Sequence, residues 1–146
     1  VRAVSTLAPD AAVVLGLAST AMPFARTPAA QAERWLRILR LHGDAGAALQ
    51  ALGVGEGPLR AQAQDVPATS ETTRGDDRDM VGQVTAYARH LASEREAACV
   101  ATTDVLLAVM RVYGEHFDRV LQAYGTDRDE VIGRITTAAS QSAHAA

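Results

Sequence analysis

A chain of 146 residues with 48% hydrophobic but only 4% aromatic content has enough apolar material for one domain core, built largely of small side chains between closely packed elements. All 14 basic residues are arginine, against 17 acidic ones, and a net charge of −3 offers no field to hold a phosphate backbone, so nucleic acid is not an expected partner. The single cysteine, Cys99, excludes an internal disulfide, and no run reaches the roughly 18 apolar residues of a membrane span.

In chain order, the first predicted element runs from about Leu7 to Ala21 and is rich in alanine and valine. Ala11 to Ala21 resembles the apolar core of a secretion signal, but Pro9 and Asp10 sit badly there and only Arg2 is basic, so it is read as a helix. The chain opens on Val1, which fits a domain cut from a longer protein. Thr27-Pro28 then gives a cap followed by proline at the first helical position, ahead of Trp35, Leu36, Ile38 and Leu39. Ala45, Ala48, Leu49 and Leu52 fall at i, i+3, i+4 and i+7, one buried helix stripe, and Gly53 follows where a helix needs a left-handed residue to stop. Pro58 suits the opening turn of a further helix at Leu59. From Gln64 to Asp77 there is no apolar periodicity, which predicts a surface linker.

Met80, Val81, Val84, Ala88, Leu91 and Ala92 resume helical spacing. Ala101 to Met110 opens on capping residues and is apolar on nearly all sides, as a central, surrounded helix must be. Phe117, Val120, Leu121 and Tyr124 form another i, i+3, i+4, i+7 stripe, closed by Gly125; Thr126 or Asp127 can cap the next helix, with Asp129 and Glu130 in its first turn and Val131 beginning its apolar face. The last residues, 140–146, are expected to fray.

The segment Leu49-Gln50-Ala51-Leu52-Gly53 returns as Leu121-Gln122-Ala123-Tyr124-Gly125, each at the end of its stripe, so one helical unit is written twice. The expected architecture is all-α: one domain over 1–146, with about eight helices in two four-helix repeats related by a pseudo-twofold axis. Repeat one covers about 5–63, the linker about 64–77, repeat two about 78–139 and the tail 140–146.

Signals for chemistry are sparse. Without lysine there is no P-loop, and the glycine-rich Gly53-Val54-Gly55-Glu56-Gly57-Pro58 follows a helix, so its amides belong to a helix stop and restart. His42, His90, His116 and His144 are scattered; His90 and Glu94 at i, i+4 read as a solvated pair, and no metal or cofactor is expected. Cys99, among alanine and valine, reads as a small buried thiol. Arg34, Arg37 and Arg40 form a stripe that is either a solvated face or a dock for an acidic partner segment. Trp35 is spaced as core with Ile38 and Leu39, a partly exposed peptide anchor being the alternative. No paired carboxylates or nucleophile motif points to an enzyme.

Thr102-Thr103-Asp104-Val105-Leu106-Leu107-Ala108-Val109-Met110, followed by Val120-Leu121-Gln122-Ala123-Tyr124-Gly125 and Val131, resembles the repeat of the Clp amino-terminal domain. That family's helix opens with Thr-Glu-His and continues as a leucine-rich run with a small residue at its fourth position, which Ala108 fills. Trp35-Leu36-Arg37-Ile38-Leu39 through Gly53-Val54 resembles the same repeat, so the likeness spans nearly the whole chain. It implies a non-catalytic recognition module that sits ahead of the ATPase rings of Clp-type unfoldases in the cytoplasm and receives adaptor proteins or substrate segments. The alternative it implies is a stand-alone member that sequesters a hydrophobic small molecule or cyclic peptide. Partner-binding groups are expected at helix starts and on the arginine stripe: Thr27, Arg34, Arg37, Thr102, Thr103 and Asp104. Where relatives use the glutamate of that motif to bind phosphorylated arginine, this chain has Thr103, and its first copy shows no Glu-His, so it departs from the pattern there.

Overall fold

The computed structural model describes residues 6–22, 25, 27–54 and 77–145, with backbone alone for 77–79 and 137–145. Seven helices are found among the described residues: α1 Pro9–Ala21, α2 Pro28–Leu39, α3 Gly43–Ala51, α4 Asp77–Glu94, α5 Thr102–Tyr113, α6 Glu115–Ala123 and α7 Arg128–Ala145. The helix expected from Pro58 and Leu59, and the linker apart from its last residue, lie outside them. Asp77, assigned above to the linker, is the first residue of α4, and α7 carries helical backbone past Ser140 to Ala145.

Local chemistry explains the helix ends. Pro9 occupies the first position of α1 with Asp10 in its first turn, a start that needs no donor from proline and places an acid at the positive end of the dipole. Thr27 caps α2, its hydroxyl accepting from the Ala30 N–H at 3.1 Å. For α7 the cap is Asp127, whose carboxylate accepts from the Glu130 N–H at 2.9 Å. The duplicated segments stop their helices alike. Gly53 and Gly125 have φ of +73° and +80°. Val54 N–H donates to the Leu49 carbonyl at 3.0 Å, as Thr126 N–H does to the Leu121 carbonyl at 3.1 Å.

α5 packs against α1, α2, α3, α4 and α6, the surroundings its apolar run predicts. Besides these contacts, α2 lies on α6 and α3 on α7. Both stripes enter the core: Ala45, Ala48 and Leu49 are buried with Leu52 half-buried, while Phe117, Val120 and Leu121 are buried with Tyr124 half-buried. Each such leucine or phenylalanine contributes about 1.5–3 kcal/mol by leaving water. One apolar cluster runs continuously from Ala11 to Ile135. The one β-type pairing among the described residues is an isolated parallel bridge between Leu7 and Val100. Val100 N–H donates to the Thr6 carbonyl and Ala8 N–H to the Val100 carbonyl, both at 2.9 Å, tying the entry of α1 to the α4–α5 loop.

Cys99 departs from expectation. The turn that leads into α5 sends Val100 into the core and leaves the neighbouring thiol half-exposed and free.

Candidate functional site

Most of the polar residues singled out above are committed to holding helices together. Thr102, buried at the start of α5, accepts from the Ala45 N–H at 3.3 Å and so satisfies a donor in the first turn of α3. Asp104, 2% exposed, accepts from the Ala101 N–H at 2.9 Å and receives Arg95 in a two-pronged ion pair, Nε at 2.9 Å. That bond holds the Arg95 guanidinium above its ordinary pKa, against the smaller opposing effect of its own burial. Thr103 is half-buried. Thr27, at the start of α2, is spent on its cap.

The arginine stripe divides. Arg37 Nη2 donates to the fully buried Glu33 at 3.3 Å and to the Tyr124 hydroxyl at 3.2 Å, and Tyr124 donates to the same Glu33 oxygen at 2.6 Å. This cluster bolts α2 to the end of α6. Arg40 Nε donates to the Val54 carbonyl at 3.1 Å, and the Arg40 carbonyl accepts from Gln50. Arg34 is half-buried and has no ion-pair partner among the described residues. Trp35 is core: its Nε1 donates to the Tyr113 hydroxyl at 3.0 Å, and that hydroxyl donates to Gln31 Oε1 at 2.9 Å. His90 and Glu94 form the exposed pair expected of them, at 3.5 Å.

An open apolar surface lies elsewhere. Three helices each contribute an i, i+4 pair to a groove of about 230 Å³: Tyr87 and Leu91 from α4, Leu107 and Arg111 from α5, Arg128 and Ile132 from α7. Met110 forms its floor, 3% exposed. None of these residues was singled out from the sequence as a binding group. Leu91 belongs to the helical stripe read for α4 and Leu107 to the apolar run of α5, yet both are only half-buried, and Ile132, next to Val131, is 37% exposed. Arg128, at the start of α7, donates to Asp118 at 3.0 Å and to the Gly114 carbonyl at 3.4 Å. The same Arg128 lines a second hollow of about 350 Å³, with Asp118, Gln122, Asp127 and Asp129.

Among the described residues no cluster of three or more histidine, cysteine or acidic side chains is arranged to hold a metal, and no helix is long and apolar enough to cross a membrane. Comparison with protein-family models, with characterised proteins and with solved structures finds no match to this chain.

Proposed function

We propose that this chain is a non-catalytic helical recognition module of the Clp amino-terminal kind, two repeats closed about a pseudo-twofold axis, working in the cytoplasm. It takes up an adaptor or substrate segment for an ATP-dependent protease or chaperone. The observation that carries the reading is the doubled helix end: Gly53 and Gly125 stop their helices with equivalent backbone bonds after equivalent buried stripes. Helix lengths and packing support it as well. α2 and α5 have twelve residues each and α3 and α6 nine, and α2 leans on α6 as α5 leans on α3.

The groove among α4, α5 and α7 is the place where the segment docks. Its apolar lining, supplied by i, i+4 pairs from three helices, suits a few side chains of a peptide segment.

Calorimetric titration of the chain with reduced, carboxymethylated α-lactalbumin, a permanently unfolded protein, tests this. Saturable binding that Leu107→Asp abolishes without changing the helical circular dichroism is the expected result. No saturable binding, or binding that ignores Leu107→Asp, would remove the reading.

A further inference from the structure

The proposed docking groove is electrically lopsided. Among the described residues it is lined by two guanidinium groups and no carboxylate, and the two guanidiniums differ in their pairing. Arg128 is matched by Asp118 and the Gly114 carbonyl, whereas Arg111 is exposed and has no partner among the described residues. Arg128 is also the wall shared with the second hollow, where Asp127 and Asp129 remain in excess once Asp118 has paired with it. A segment lying through both spaces therefore meets the exposed Arg111 in the groove and, in the hollow, the net negative charge of Asp129 and of Asp127, whose carboxylate caps α7 and has no cationic partner among the described residues.

We propose that this surface selects a charge-polarised partner segment: a carboxylate beside Arg111, two apolar residues over Leu107, Met110 and Leu91, and a cationic residue reaching Asp127 and Asp129. The proposal rests on the groove being the docking site and adds the chemistry of its occupant. A neutral apolar segment would cover the Arg111 head group and take it out of water unpaired. A wholly acidic segment is repelled at the hollow, and a wholly basic one at Arg111. Only the polarised segment matches both places, so the arrangement rejects alternatives as well as attracting its partner.

The test uses short labelled helical peptides with leucines at i and i+4 and flanking residues Glu/Lys, Glu/Glu, Lys/Lys or Gln/Gln, followed by fluorescence anisotropy with the whole chain. The Glu/Lys peptide should bind about fivefold tighter than each of the others at low salt, an advantage that shrinks as salt is added. Arg111→Glu should move the preference to the Lys/Lys peptide. Equal binding of all peptides, lost in Leu107→Asp, would overturn the charge selection and leave the groove standing. An unchanged ranking in Arg111→Glu would do the same. Peptide binding that Leu107→Asp does not alter, or no binding at all, would overturn groove and selection together.

Discussion

The Tyr124 phenol donates to Glu33 at 2.6 Å, and Arg37 donates to the same carboxylate oxygen at 3.3 Å. Burial first, then the bond to Glu33 and its charge, push the phenol above its ordinary value of 10.0. The folded state thus keeps a proton that the unfolded chain gives up near that pH. The stabilisation is fully present below pH ~10 and is lost as pH rises from there through the folded value. Tyr124→Phe removes the short phenol bond to the fully buried Glu33, which should cost about 1–3 kcal/mol at neutral pH. Urea denaturation as a function of pH should show the gap between wild type and Tyr124→Phe narrowing above pH ~10. A gap that stays constant would mean the phenol titrates as if exposed. Periodicity alone placed Tyr124 on an apolar stripe. It gave no hint of the bond, because Glu33 belongs to a different helix far away in the chain, and the same holds for Trp35 and its partner Tyr113.

At the scale of elements, helix ends were the most legible part of the chain, because caps and left-handed stops are local chemistry. Thr27, Asp127, Gly53 and Gly125 all sit where their residue types require. Contacts made by one element on the end of another were not legible. Gly43 opens α3 at φ +62°, and a Cβ there would collide with the Thr102 hydroxyl from α5, whereas a Cβ on Gly125 meets open space. Gly125→Ala should therefore cost roughly 1–2 kcal/mol, the strain of a left-handed residue. Gly43→Ala should cost roughly 3 kcal/mol, since the overlap with Thr102 adds to the same strain. Equal losses in chemical denaturation would mean that α3 and α5 do not approach each other this closely. Asp104 makes the same point from the acidic side. Its place at a helix start was readable, but its ion pair with Arg95 was not, because Arg95 sits in the turn after α4.

For the whole molecule, the class of fold was written in the helical spacing of the apolar residues. The groove was not, because Tyr87, Leu107 and Ile132 come from three separate helices and each sits at the margin of a buried stripe, where spacing alone does not separate core from surface. α1 shows the same ambiguity: it is apolar on all sides, yet Val13 and Leu17 are 47% and 44% exposed, in the i, i+4 relation that Tyr87 and Leu91 have on α4. The proposed module is one helical unit, present twice, interlocking with itself. Long-range methyl contacts measured by NMR in solution test that most directly. The account predicts reciprocal sets, α2 with α6 and α3 with α5, and a near-180° rotation carrying α1–α3 onto α4–α6. Contacts between α2 and α6 without their α3–α5 counterpart, or halves that no such rotation superimposes, would contradict it.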